Sequence, residues 1–247
     1  MISLQDKWSL VTGASRGVGA HISEGLARLG SNVVLHSRDL AHTKALATKI
    51  ESLGVKVVAV SGELSDQAQV DAMLDAALQQ AGQIDILYNN AAVMTPYRVD
   101  PWSIPAEDFR TSFEVNVISL IRICHRLVPP MLTRKWGRVV NVTSGIADQP
   151  SLTAYAISKA AVDKFVRDFA DDLKGTGVQM SLLDPGWLRT ELGGPNAPND
   201  PSTVLPGALV PALVDDGESG RFFAAQDYAG MSLDEALKKA GTLSRKR

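Results

Sequence analysis

Residues 8–19 read W-S-L-V-T-G-A-S-R-G-V-G, from Trp8 to Gly19. Trp8-Ser9-Leu10-Val11 is a short apolar run expected to form a strand, and Ile22, Leu26 and Leu29, closed by Gly30, continue at helical spacing. Strand, glycine turn and helix in that order aim backbone N–H groups and a helix N-terminus at a phosphate. Gly13 permits the tight turn, Gly17 lets the backbone approach a ligand, and Gly19 allows close packing of the helix. Ser15, Arg16 and Val18 complete the turn. The spacing is not G-x-G-x-x-G and no Walker lysine follows, so nucleotide hydrolysis is not indicated.

The same glycines fit a rival pattern. Gly13-Ala14-Ser15-Arg16-Gly17 matches G-x-S-x-G, the nucleophile elbow of α/β-hydrolases. An elbow belongs in mid-sheet with an oxyanion loop upstream, and only a dozen residues precede this one. The hydrolase reading is therefore weak.

Outward from the turn, apolar runs and helical patterns alternate. Asn32–His36, Lys56–Val60, Ile84–Tyr88, Arg138–Val142 and Val178–Leu183 read as strands, with a short last one at Gly220–Phe223. Helices are expected over 41–53, from Asp66, over 106–134, from about Ser151 to Leu173, over 203–214 and over 232–240. This rhythm predicts a single α/β domain spanning 1–247, with a doubly wound parallel sheet of about seven strands and helices on both faces. Ligands then bind at the strand C-terminal ends. Arg38 ends the second strand, where an acidic residue would select a free ribose 2′-OH and an arginine a 2′-phosphate. Arg38 and Arg16 together favour NADP over NAD; Asp39 counts against it unless it caps the next helix. Asn90 and Ala91 follow the fourth strand, where a side-chain amide and a close backbone suit a cofactor edge. Residues 191–211 are rich in Gly, Pro and Asn and read either as a lid, extending to about 215, or as a linker.

The stretch Ser144–Lys159, S-G-I-A-D-Q-P-S-L-T-A-Y-A-I-S-K, joins the fifth strand to a helix. Ser151 can cap that helix, and Ile157, Ala161, Phe165, Val166, Phe169 and Leu173 are spaced for one buried face. Tyr155 and Lys159 stand at i and i+4, one turn apart on one face. A free phenol ionises near pH ~10. A neighbouring ammonium lowers that value and brings Tyr155 toward general acid–base work. Ser144 can offer its hydroxyl to the same reacting oxygen. Asn116 falls inside a long helix, where a buried amide is disfavoured unless its hydrogen bonds are met, and the plain alternative puts it on the solvent face.

Composition sets outer limits. The 247 residues are 45% hydrophobic and 21% charged, as expected of a globular protein with a sizeable core. A net charge of −2 without a basic stripe argues against nucleic acid, and Arg245-Lys246-Arg247 reads as a solvated tail. No apolar run approaches membrane-spanning length and no signal-peptide pattern opens the chain. One cysteine, Cys124, excludes an internal disulfide framework, and His21, His36, His42 and His125 lack ligand spacing. A cytoplasmic protein without a metal is the expectation.

Six motifs in register resemble the classical short-chain dehydrogenase/reductase family: T-G-x-x-x-G-x-G from Thr12, N-N-A from Asn89, Asn116 in V-N-V, Ser144, Y-x-x-x-K from Tyr155, and P-G-x-x-x-T from Pro185. Gly193–Pro198 and Gly220–Phe223 are similar to a carbonyl-reductase-like subgroup. The resemblance covers nearly the whole chain and implies a Rossmann fold and an NADPH-dependent oxidoreductase acting on a ketone, an aldehyde or the corresponding alcohol. It implies catalytic roles for Asn116, Ser144, Tyr155 and Lys159: Tyr155 as general acid/base, Lys159 tuning it and holding the nicotinamide ribose, Ser144 on the substrate oxygen, Asn116 on a water relay. Thr190 and the backbone at Pro185, Gly186 and Leu188 would meet the carboxamide, and Glu63 with Leu64 would lie at the adenine. A homodimer or homotetramer is implied as well. Ala92 replaces the usual glycine, Glu63 the usual aspartate, and Tyr155 follows Ser144 by only eleven residues. A fold that keeps cofactor binding without catalysis is the alternative, although such chains usually lose Tyr155 or Lys159.

Overall fold

The computed structural model describes residues 2–146 and 149–242. Seven stretches form strands: β1 Trp8–Val11, β2 Asn32–Ser37, β3 Val57–Ser61, β4 Ile86–Asn89, β5 Gly137–Val142, β6 Val178–Asp184 and β7 Arg221–Ala224. All pair in parallel in the order β3-β2-β1-β4-β5-β6-β7, the expected doubly wound sheet of a single α/β domain. The helices are α1 Gly17–Arg28, α2 Lys44–Glu51, α3 Gln67–Ala81, α4 Ala106–Phe113, α5 Ser119–Arg134, α6 Thr153–Asp168, α7 Val210–Leu213 and α8 Leu233–Thr242.

Strand side chains alternate between two cores. Leu10, Val34, Leu87, Val139 and Leu182 enter the core shared with α3, α5 and α6, and Val11, Leu35, Tyr88, Val140 and Leu183 the core shared with α1, α7 and α8. Each such side chain stabilises by about 1.5–3 kcal/mol when buried. A one-residue slip would move every strand side chain to the opposite face, so the register is firmly set. Strand order reverses direction between β1 and β4, which opens a crevice at their C-terminal ends.

Local chemistry explains most boundaries. Asp39 accepts from the Ala41 N–H (2.9 Å) and so caps a 3-10 turn at Leu40–Thr43, which takes the place of the first turn of the helix expected from 41. Asp66 caps α3 through the Ala68 and Gln69 N–H groups. The helix expected over 106–134 is one continuous run, with a π turn at Glu114–Ile118 between α4 and α5. By length and composition alone it could cross a membrane, contrary to the expectation that no apolar run approaches that length. Here its apolar face lies in the core, and Arg122 and Arg126 on its outer side pair with Asp71 and Asp75 of α3.

Several expectations are corrected. Ser151 caps nothing: Pro150–Leu152 form a 3-10 turn, α6 starts at Thr153, and it ends at Asp168. The buried stripe of α6 is Ala154, Tyr155, Ser158, Lys159, Val162 and Val166, whereas Ile157 (44% exposed) and Phe169 (41%) face outward. The helix expected over 203–214 is broken at Pro206 into 3-10 turns and the short α7. Residues Val204 and Ala208–Leu213 are buried in the core, so this half of the expected lid is a structural element of the domain. The tail Arg245-Lys246-Arg247 lies outside the described residues.

Candidate active site

At the C-terminal ends of β1, β2, β4, β5 and β6 lies a cleft of about 1460 Å³. Each residue expected to bind the cofactor lines it, as do Ser144, Tyr155 and Lys159. Gly13 (φ +63°) and Gly17 (φ +55°) hold left-handed backbone that suits glycine, and the first turn of α1 carries no acidic side chain. A bare backbone turn at the N-terminus of a twelve-residue helix fits a pyrophosphate.

The turn is braced from beneath. Thr12 Oγ1 accepts from the N–H groups of Asn90 and Ala91 (both 3.0 Å), while Asn90 Nδ2 donates to the carbonyls of Thr12 (2.8 Å) and Gly13 (3.2 Å). His36, set aside in the sequence for want of ligand spacing, belongs to the same brace. Its Nδ1 accepts from the Gly13 N–H (3.3 Å), which leaves Nε2 to donate to the Gly62 carbonyl (3.0 Å). Burial lowers its pKa, so it stays a neutral imidazole. Gly19 closes the turn: a Cβ there would run into the Gly13 carbonyl oxygen and come within 2.6 Å of Asn90 Nδ2. Gly19→Ala is expected to weaken NADPH and NADH alike by roughly tenfold, about 1–2 kcal/mol of overpacking strain. Calorimetric titration of both cofactors checks this, and unchanged affinity would show that the turn tolerates the methyl.

At the far end of β2 the two expected cations part. Arg16 forms an ion pair with Glu191 (2.9 Å), both side chains exposed, whereas Arg38 makes no ion pair among the described residues. Glu63 bends its carboxylate back to the Ser65 N–H (3.3 Å). Asp39 is occupied by its cap. The wall near Arg38 thus presents a cation with no carboxylate aimed at it.

β1 is a central strand, so its position does not argue against a nucleophile elbow as the sequence reading supposed. Instead, among the described residues no hydrogen bond joins the Ser15 hydroxyl to a base, and the nearby His36 has both ring nitrogens engaged.

The opposite end carries the titratable groups. Ser144, just past β5, accepts from the Ile146 N–H (3.3 Å) and lines the cleft with Tyr155, whose phenolate its hydroxyl favours. Lys159 Nζ, 3% exposed, donates to the Val142 carbonyl (2.7 Å) and sits 5.7 Å from the Tyr155 ring centre. Burial, not the ammonium, dominates the phenol here: it is pushed up to about 12, with Ser144 pulling down and the Asp184 charge pushing up. The expected lowering by Lys159 is absent in this state, and Tyr155 holds its proton at neutral pH. Burial also brings Lys159 down to about 8, while the Asp163 charge opposes it.

Asn116 is buried behind this row rather than opening on the cleft. Its Oδ1 accepts from the Val93 N–H (2.8 Å), and its Nδ2 donates to the Val93 carbonyl and Ser158 Oγ (both 2.9 Å). The π turn brings it to this position, which simple helical periodicity could not reveal.

Trp187, Arg189 and Thr190 lace the loop after β6. Trp187 Nε1 donates to the Gly193 carbonyl (2.7 Å), the Arg189 N–H to the Asn199 carbonyl (2.9 Å), and the Gly193 N–H to Thr190 Oγ1 (3.0 Å).

Comparison with known proteins agrees with this geometry. Residues 7–200 match the model of a family described as short chain dehydrogenase. The chain is 34% identical over 194 residues to 1-deoxy-11-beta-hydroxypentalenate dehydrogenase of Streptomyces exfoliatus, covering 76% of this chain and 70% of that one. A metagenomic short-chain oxidoreductase solved in complex with NADP is 29% identical, with a TM-score of 0.69 over 75% of this chain and 84% of that one. A 7α-hydroxysteroid dehydrogenase complexed with NADH and 7-oxo glycochenodeoxycholic acid is 26% identical, with a TM-score of 0.80 over 93% and 96%.

Proposed function

We propose, given that this chain belongs to the short-chain dehydrogenase family, that it is an NADPH-dependent oxidoreductase interconverting a ketone or aldehyde and its alcohol, with Tyr155 as general acid/base. One observation carries the reading: Ser144, Tyr155 and Lys159 open on the same cleft as the glycine turn, at its opposite end. The nicotinamide supplies the hydride when bound. Ser144 holds the substrate oxygen by a hydrogen bond. Tyr155, kept protonated by burial, donates its phenolic proton to that oxygen as the carbonyl carbon is reduced. In the reverse direction the phenolate takes the alcohol proton, and the Lys159 ammonium stabilises that anion. Asn116 holds Val93 and the helix bearing Tyr155 in place, and from there would position the water that relays protons to Lys159.

The preference for NADPH rests on Arg38, whose guanidinium suits a 2′-phosphate at the end of β2. Arg38→Ser is expected to weaken NADPH by about 1.5 kcal/mol, roughly tenfold, and to leave NADH unchanged. Parallel calorimetric titrations decide it; a native preference for NADH would overturn the assignment.

Two further features belong to this reading. Residues 191–203 are the part of the expected lid that can close over substrate, since the chain beyond them is core. Ile118 on the π turn and Ile157 and Phe169 at α6 are exposed apolar side chains, the last packed on Phe165, and such side chains suit pairing with a second copy of the chain, as a homodimer or homotetramer.

A further inference from the structure

Two consecutive residues at the end of β5 grip two residues of α6 spaced one turn apart, next to the pair Ser144 and Tyr155. The Val142 carbonyl accepts from Lys159 (2.7 Å), Thr143 Oγ1 donates to Asp163 Oδ1 (2.5 Å), and the Ser144 hydroxyl favours the Tyr155 phenolate. Tyr155, Lys159 and Asp163 stand at i, i+4 and i+8, so they share one face of the helix. Two members of this row belong to the proposed chemistry, and the third is a half-buried carboxylate with no assigned task.

We propose that Asp163 is a positioning residue which, latched to β5 by Thr143, keeps the buried Lys159 charged during turnover. The inference rests on the oxidoreductase reading for its consequence, though not for its test. No carboxylate forms an ion pair with Lys159 among the described residues, and its one hydrogen bond goes to a neutral carbonyl. A buried ammonium in that setting tends to lose its proton. Asp163 is the charge that opposes this loss; burial lifts its own carboxyl above the usual carboxylate range, while the Thr143 hydroxyl, Arg167 and Lys159 pull it back down. Thr143, itself buried and hydrogen-bonded through its N–H to the Leu183 carbonyl (2.8 Å), fixes where that carboxylate stands.

The other titratable and charged groups in this neighbourhood are few. Tyr155 lies on the same helix, Asp184 at the end of β6 acts on both Tyr155 and Asp163, and Arg167 acts on Asp163 from one turn further along. The π turn packed against α6 presents the neutral Asn116, with Glu114 bonded to Gln67 instead; α4, also packed against α6, pairs Glu107 with Arg110 and Asp108 with Arg98; and Val142, Thr143 and Ser144 carry no charge. Asp163 is therefore the countercharge on Lys159's own helix. A neutral Lys159 could not stabilise a phenolate, so losing the carboxylate should narrow the pH range of turnover.

The test reads Lys159 directly in the full chain, labelled with ¹³C-lysine, by following its Cε resonance against pH. The signal is assigned by its loss in Lys159→Arg. Asp163→Asn removes a negative neighbour, so the ammonium is less favoured and the midpoint should fall by about one unit or more. Asp163→Glu should restore most of it, and Thr143→Val, which frees the carboxylate, should give a smaller fall. Turnover of a diketone probe with NADPH should decline from a correspondingly lower pH in Asp163→Asn. An unchanged midpoint in Asp163→Asn, or a loss of activity uniform across pH, would overturn the proposal. If Asp163→Asn does not fold, Thr143→Val decides by the same midpoint. Because the titration needs no cofactor, it remains decisive even if the chain binds neither NADPH nor NADH, the outcome that defeats the oxidoreductase reading itself.

Discussion

Tyr155→Phe is expected to lower kcat by roughly 10²–10⁴-fold, the usual weight of a positioned proton donor, while leaving NADPH binding intact. Phenylalanine keeps the ring that fills the buried site on α6 and loses only the hydroxyl. Burial holds the phenol up at about 12, so the wild-type group carries its proton through the neutral range and is ready to donate it. Phenylalanine has none to give. The measurement is kcat for carbonyl reduction at saturating NADPH, paired with calorimetric titration of the cofactor. Full turnover in the variant would end the general-acid assignment, and loss of cofactor binding would show that the substitution damaged the cleft instead.

Asn116→Ala is expected to cost about 3 kcal/mol of stability. The wild-type side chain is 1% exposed and spends its amide on three hydrogen bonds, two to the Val93 backbone and one to Ser158 Oγ. Alanine leaves the Val93 N–H and carbonyl without those partners in a part-buried setting. Val93 belongs to the segment that lines the cleft after β4, and Ser158 lies between Tyr155 and Lys159 on α6. The loss should therefore appear twice: as a lower urea midpoint with an unchanged m-value, and as a fall in kcat. A stability change below about 1 kcal/mol would mean that water replaces the amide.

Much of this was legible in the chain. Continuous apolar runs at Leu10-Val11 and Val33-Val34-Leu35, helical spacing in Ile22 and Leu26, and glycines at Gly13, Gly17 and Gly19 together point to a parallel sheet with a bare turn at a helix N-terminus. Those signals are local: they follow from backbone geometry and side-chain direction within a few residues. The spacing of Tyr155 and Lys159 likewise placed them on one helix face before any packing was known. Tertiary structure decided the rest. Apolar periodicity marked Ile157 and Phe169 as a buried stripe, but a stripe does not say which surface covers it, and α6 turns Tyr155, Ser158 and Lys159 inward instead. The π turn at Asn116, the bracing of Gly13 by His36, and the grip of Thr143 on Asp163 join residues distant in sequence or outside regular helical spacing. The phenol's pKa belongs with them, because desolvation depends on everything packed around Tyr155 and the lysine four residues away is only one contributor.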